Sequence, residues 1–119
     1  MNLEQLRAYC LSFKAATEDT PFGEDTLVFR VANKMFALTS ITAIPTTVNL
    51  RAEPEQIIED RETHPDHVQP GWHMNKKYWN TVQCQTGLSS EILKEMIANS
   101  YHSVVKTLKK SEQQALLDS

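Results

Sequence analysis

The densest group of chemically versatile side chains in this sequence lies between Gly71 and Trp79. The segment reads GWHMNKKYW and holds three aromatic residues, a histidine, an amide and two lysines. Aromatic faces interleaved with cations can stack on bases and pair with phosphates, which is what binding of single-stranded nucleic acid requires. The alternative is structural: the tryptophans anchor an irregular connection, the histidine and asparagine satisfy its backbone groups, and the lysines are solvated.

Basic residues are unevenly distributed along the chain. The 12 Lys and Arg residues against 15 Asp and Glu residues give a formal net charge of -3, which argues weakly against a dedicated nucleic-acid binder. Two acid-free stretches, residues 26–52 and 67–90, nevertheless hold five bases: Arg30, Lys34, Arg51, Lys76 and Lys77. If these bases converge on one sheet face, they create a field suited to a phosphate or a carboxylate. The alternative is that strands disfavour acidic residues.

Four residues around this segment invite a metal-site interpretation, because imidazole and carboxylate are common ligands. They are His64, Asp66, His67 and His73. Their spacing matches no established zinc pattern, and loop histidines are more often hydrogen-bonded or exposed than ligating. We therefore predict no metal and no cofactor.

Motifs of the common enzyme classes are absent from the sequence. The three glycines form neither a GxGxxG nor a GxxxxGKS/T loop, and there is no GxSxG elbow or HExxH helix. The sequence therefore predicts no enzymatic activity. Cys10 and Cys84 belong to no CxxC pair, so we interpret them as buried thiols, with a disulfide as the alternative.

Helical periodicity marks both ends of the chain. An Asn2 and Gln5 capping box, followed by apolar residues at helical spacing, predicts a first helix to about Lys14. A long apolar stripe after Ser89 or Ser90 predicts a final helix that reaches Leu108.

The residues between these helices alternate in the manner of strands. Residues 18–25 combine acids with proline and glycine, which predicts a solvated loop. Predicted strands follow at 26–31 and 35–40, joined by a tight turn at Ala32 and Asn33, and at 46–51. A short helix from Pro54 that ends before His64 comes next, and then a strand at 79–84. Within the third of these strands, Asn49 and Arg51 should point away from the core.

This order of elements predicts one α+β domain over residues 1–119. Its two layers are an antiparallel sheet and the N- and C-terminal helices that cover it. The sequence has no apolar run of bilayer length and no basic segment followed by a hydrophobic one, so we expect a cytoplasmic protein without a membrane partner.

Five short segments distributed over nearly the whole chain together resemble the MmcQ/YjbR family. They are residues 21–23 (PFG), 34–37 (KMFA), 48–51 (VNLR), 70–76 (PGWHMNK) and 79–82 (WNTV). The most specific is HMNK followed by Trp79. The resemblance implies an α-β-β-β-α-β-β-α topology like that of bacterial type III secretion chaperones. It also implies a small bacterial cytoplasmic protein with DNA binding of the kind called double wing.

Three functional hypotheses follow from the residues and from the resemblance. The first is a nucleic-acid-binding or regulatory module in which the five bases contact phosphates and a tryptophan stacks on a base. The second is a protein-interaction module that uses the sheet face or an edge strand. The third is a small-molecule site at His73 and Asn75. The candidate binding residues are Arg30, Lys34, Asn49, Arg51, Trp72, His73, Asn75, Lys76, Lys77 and Trp79.

Overall fold

A computed structural model of the chain describes residues 1–118. Ten elements follow one another along this range. They are α1 (Leu3–Leu11), β1 (Thr17–Asp19), β2 (Thr26–Val31), β3 (Lys34–Ser40), β4 (Thr47–Arg51), α2 (Pro54–Thr63), β5 (Val68–Pro70), β6 (Trp79–Gln83), α3 (Ser90–Val105) and α4 (Lys110–Asp118). None of these described helices is long and apolar enough to cross a membrane.

The strands form one antiparallel sheet in the order β1-β2-β3-β4-β6-β5. Ala32 and Asn33, both at positive φ, make the tight turn between β2 and β3. This is the turn that the sequence predicts, and asparagine tolerates such a conformation better than most residues. The β2–β3 register shifts between Phe29 and Arg30, because Phe36 is an extra residue on β3. Both Phe29 and Phe36 thereby point into the core.

One face of this sheet carries the hydrophobic core, and helices α1 and α3 cover it. The core side chains of the central strands include Phe29, Phe36, Val48, Leu50 and Val82. From α3 they meet Leu93, Ile97, Tyr101 and Val104, and from α1 they meet Leu6 and Cys10. We call this surface the covered face and the opposite surface the open face.

Buried polar contacts fix the helices on the covered face. The Ser100 hydroxyl of α3 donates to the carbonyl of Phe36 and accepts from the backbone N–H of Arg51 at 2.8 Å. Asn80 of β6 donates its amide to the carbonyl of Ile57 in α2 at 3.1 Å and accepts from Arg61 at 2.7 Å. Because these buried groups are paired, their burial carries no large desolvation cost.

The predicted α+β fold and its α-β-β-β-α-β-β-α order are confirmed, with two added elements. Residues 18–25 were expected to be a loop throughout, but β1 begins at Thr17 and pairs with the edge of β2. Its acids are neutralised by Arg7, which binds Glu18, and by Arg30, which binds Asp19. The predicted first helix was too long, because α1 ends at Leu11 and Ala15 has a positive φ. The final helix was also predicted too long, because α3 ends at Val105 rather than at Leu108, and α4 is a separate helix that begins at Lys110.

Both cysteines are free and buried, as predicted. They belong to the core of the covered face.

Candidate functional site

The open face is built from the residues that alternate with the core positions. Since successive side chains of a strand point to opposite faces, Asn49 and Arg51 lie here while Val48 and Leu50 face the helices. Asn49 accepts a hydrogen bond from the hydroxyl of Thr81 on the neighbouring strand β6. These polar side chains form the floor of the candidate site.

A cleft of about 660 Å³ opens on this face. We call it the open-face cleft. Strand residues form its floor and three loops form its walls. The floor consists of Thr26, Met35, Leu38, Ser40, Thr47, Asn49 and Thr81, and the walls consist of Phe22, Ala43 and the segment Trp72, His73 and Met74. Apart from one histidine, the lining side chains are therefore either apolar or polar and uncharged.

The segment from Gly71 to Trp79 reaches over the floor because its backbone is fixed at both ends. The N–H of Gly71 donates to the carbonyl of Trp79 at 2.9 Å, and the N–H of Trp72 donates to the Thr81 hydroxyl at 3.1 Å. A Cβ at Gly71 would lie 2.9 Å from the Cβ of Trp79, so only glycine fits this close approach. The Trp72 ring stacks on His73, which has a positive φ, with ring centroids 5.0 Å apart.

Asn75 has a different role from its neighbours in this segment. Its side-chain oxygen accepts from the N–H of Lys77 at 3.0 Å, and its carbonyl accepts from the N–H groups of Tyr78 and Trp79. This is a side-chain turn that folds the backbone. Asn75 does not line the open-face cleft, so the structural alternative raised for this asparagine describes what it does.

A second cavity of about 500 Å³ adjoins the first, since Phe22 and Met35 line both. We call it the basic cavity. Its lining contains Phe22, Arg30, Lys34, Met35, Arg51, Trp79, Val104 and Thr107. Three of the predicted bases therefore meet here, together with the indole of Trp79, and no acidic residue is among the described residues that line the cavity.

The three bases of the basic cavity differ in how their charge is compensated. Arg30 pairs with Asp19 at 3.1 Å, and Arg51 lies 3.8 Å from Glu53 and 4.8 Å above the ring of Tyr78. The ammonium of Lys34 lies 3.5 Å from the carbonyl and hydroxyl of Thr107. Within residues 1–118 Lys34 has no carboxylate in salt-bridge range. Lys34 is therefore the base whose charge is most available to a ligand.

The other two predicted bases lie outside both cavities. Lys77 lies 5.6 Å from the centroid of the Tyr78 ring, and the carbonyl of Lys76 accepts from Arg61. The five bases therefore do not all converge, because Lys76 and Lys77 line neither cavity, although Lys77 and Arg51 both lie near the ring of Tyr78.

The histidines and the aspartate considered for a metal do not come together. Among the described residues no cluster of three or more His, Cys, Asp or Glu side chains has metal-binding geometry. His67 packs against Gly87, where an added Cβ would lie 2.8 Å from its ring, whereas His73 lines the open-face cleft.

Several lining residues were not among the candidates predicted from the sequence. Phe22 is the most important, because it lines both cavities and is 64% exposed. A signal for it existed, namely a lone aromatic residue between proline and glycine in an acidic stretch. Leu38 and Thr81 had no such signal, since the sequence predicts only that they lie in strands.

Comparison with known proteins identifies a matching family and a similar protein. A family model described as YjbR matches residues 11–103. The chain is 34% identical over 94 residues to the uncharacterized protein YbdF of Escherichia coli O157:H7, which covers 78% of this chain and 75% of that protein.

Two solved structures extend this likeness to three dimensions. The Deinococcus radiodurans protein DR2400, a DUF419 domain, is 37% identical with a TM-score of 0.91, over 97% of this chain and 87% of that one. A Pseudomonas syringae protein is 25% identical with a TM-score of 0.68, over 84% of this chain and 96% of that one. From the family match and these relatives, the chain belongs to the YjbR family.

Proposed function

We propose that this protein binds a small organic molecule in the open-face cleft. The observation that carries the proposal is the cleft itself, whose volume of about 660 Å³ lies within the range of roughly 300–1,000 Å³ typical of ligand sites. Its lining has the usual composition of such sites, an apolar and aromatic wall with a few placed polar groups. Here those groups are Asn49, Thr81 and His73.

Exposed apolar side chains at the cleft support the same function. Phe22 and Trp72, which form two of its walls, are 64% and 73% exposed. Ile44, which is 95% exposed, follows Ala43 of the third wall. Large apolar groups left in water around a concavity are typical of binding sites, because a ligand removes them from solvent.

A neutral aromatic probe tests this proposal. N-phenyl-1-naphthylamine fluoresces when it enters an apolar site, so titration should give saturable binding with about one probe per chain. Thr26→Trp adds a large side chain at the floor of the cleft and should weaken binding at least about tenfold, which corresponds to about 1.4 kcal/mol.

The matched control places the same substitution elsewhere. Thr63→Trp lies on an exposed position at the end of α2 that lines no cavity described above, and it should leave the probe affinity unchanged. Absence of saturable binding to the unmodified protein would refute the small-molecule proposal. Equal loss of binding in both variants would refute the location of the binding site in the cleft.

A second candidate function is binding of nucleic acid; the family resemblance implies DNA binding of the double-wing kind, and the residues of the basic cavity favour a single strand. The favouring observation is that Arg30, Lys34 and Arg51 share the basic cavity with Trp79. A cationic groove beside an aromatic face suits a phosphate next to a stacked base. The pairing of Arg30 and Arg51 with acids weakens the field, and the outward position of Lys76 and Lys77 removes two of the expected contacts.

Fluorescence anisotropy with labelled single- and double-stranded oligonucleotides at low salt tests this candidate. If nucleic acid is the ligand, binding must be saturable and must weaken steeply as salt is raised. The double variant Lys76→Gln, Lys77→Gln should then have little effect on binding. Lys34→Gln should weaken binding, because Lys34 is the one of these three lysines that lines the basic cavity. No saturable binding at low salt would exclude this candidate.

A further inference from the structure

We infer that the ligand of the open-face cleft is an anionic aromatic compound, with its ring system in the cleft and its carboxylate, sulfonate or phosphate in the basic cavity. The inference rests on the proposed function, since it names the class of molecule that the same site would take. It depends on the two cavities being parts of one trough.

Continuity of the trough follows from the residues that the cavities share. Phe22 and Met35 line both cavities, so the cavities adjoin at these two side chains and a molecule that occupies both passes them. On β3, Met35 lines both cavities and its neighbour Lys34 lines the basic cavity. The anionic end of a ligand can therefore reach Lys34 past Met35 at the end of the strand.

The two ends of the trough differ in polarity. The cleft end carries Leu38, Ala43 and Trp72 but no lysine or arginine among its described lining residues. The other end carries three bases and no acid among its described lining residues. A neutral ligand would leave the ammonium of Lys34 without a counter-charge, whereas an anion there gains a charge-assisted hydrogen bond.

Aromatic rings fit the cleft better than aliphatic chains do. Phe22 and Trp72 present exposed ring faces as two of its walls, and Trp72 is held in place by stacking on His73. The Asn49 amide and the Thr81 hydroxyl provide polar groups at the floor, so a heteroatom on the ring system can be hydrogen-bonded.

Two fluorescent probes with the same arylamine core separate this inference from the function on which it rests. N-phenyl-1-naphthylamine is neutral, whereas 1-anilinonaphthalene-8-sulfonate adds one anionic group. We expect both to bind, and Lys34→Gln to raise the Kd of the sulfonate about fivefold, or about 1 kcal/mol, while the Kd of the neutral probe stays within error. Raising ionic strength should weaken binding of the sulfonate alone.

Lys94→Gln is the matched control. Lys94 is exposed near the beginning of α3 and lies over the ring of Tyr9, outside both cavities, so its loss removes one positive charge without touching the trough. It should leave both Kd values unchanged. Circular dichroism of each variant verifies the fold.

The outcomes are distinguishable. If both probes bind and Lys34→Gln weakens both or neither, the anion inference is overturned and the small-molecule function stands. If neither probe binds saturably, the function fails and the inference fails with it. A selective loss of the sulfonate in Lys34→Gln, absent in Lys94→Gln, supports the inference.

Discussion

The two faces of this sheet are made from the same strands, but one is packed against helices and the other carries a cleft. In the five residues of β4, Val48 and Leu50 are 0% and 3% exposed on the covered face, whereas Asn49 and Arg51 lie half-buried on the open face. The covered face is filled by helices, whereas the open face retains the open-face cleft, which adjoins the basic cavity at the sheet edge beside the end of α3. Alternation along a strand thus assigns stability to one surface and leaves the other available for binding.

The two faces also differ in polarity and in the property that a substitution should change. Ser100 and Asn80, two buried polar residues of the covered face, are hydrogen-bonded to backbone carbonyls. The open-face cleft is lined by hydroxyl and amide groups, and the adjoining basic cavity is lined by cationic groups. Substitutions on the covered face should therefore lower the free energy of unfolding, and substitutions on the open face should change ligand affinity.

The largest stability effect is expected from Phe36→Ala. Phe36 is fully buried on the covered face and packs edge-on against Tyr101, with ring centroids 5.3 Å apart, so truncation removes apolar burial and leaves a cavity. We expect the free energy of unfolding to fall by about 3–5 kcal/mol, measured by urea denaturation. Leu38→Ala, two residues along β3 on the open face, should cost less than half as much. Equal costs would mean that the open face is a second core.

Alkaline pH should destabilise the protein through the covered face. Burial raises the pKa of the Cys10 and Cys84 thiols to about 12, above their ordinary value of 9.0. Between these values the unfolded chain loses the thiol protons and the native chain keeps them. The stability present below pH 9 is therefore lost as pH rises toward 12, by up to about 1.4 kcal/mol per pH unit for each thiol.

Urea denaturation at several pH values from 8 to 11, under reducing conditions, measures this slope. Cys10→Ala removes one of the two titrating groups and should make the dependence shallower, even though it lowers the stability at pH 8. An unchanged slope in this variant would show that the thiol at position 10 is not the group that couples stability to pH.

A smaller loss is expected for Ser100→Ala, which removes the polar contact between α3 and the sheet. The substitution leaves the carbonyl of Phe36 and the N–H of Arg51 without their hydroxyl partner in a buried position. The expected cost is about 2 kcal/mol, again by urea denaturation. Ser111→Ala on the exposed surface of α4 is the control and should change little. A cost below about 0.5 kcal/mol for Ser100→Ala would mean that water replaces the hydroxyl.

Much of the covered face could be predicted from the sequence, because its signal is local. The alternation of β4, the turn at Ala32 and Asn33 and the apolar stripe of α3 each depend on residues close together in the chain. Strand β1 was missed for the same reason. Its three residues include Glu18 and Asp19, and what makes them a strand is pairing with β2 and ion pairs to Arg7 and Arg30.

The open face was only partly predictable, since its site is assembled from segments far apart in sequence. The unusual density of residues 71–79 drew attention to Trp72 and His73, which line the cleft. The side-chain turn of Asn75 and the bond from Arg61 to the carbonyl of Lys76 fold the backbone at the two lysines, and neither contact has a sequence signature. Convergence of Phe22 with Leu38 likewise depends on tertiary packing.

The smallest stability effect should come from Trp72→Ala, although this residue belongs to the open-face cleft. Its side chain is 73% exposed, and its backbone N–H still bonds to Thr81 in the variant, so the free energy of unfolding should change by no more than about 0.5 kcal/mol. The affinity for N-phenyl-1-naphthylamine should nevertheless fall about fivefold, because one aromatic wall is lost.

Trp79→Ala in the same segment provides the contrast. Trp79 is 9% exposed, and truncating it should cost about 3 kcal/mol or more. The two tryptophans, seven positions apart, thus separate the two roles within one segment: stability depends on Trp79, and binding in the cleft depends on Trp72. If Trp72→Ala instead lowered stability as much as Trp79→Ala and left probe affinity intact, Trp72 would belong to the structural framework, and the cleft would lose the wall on which binding of an aromatic ligand depends.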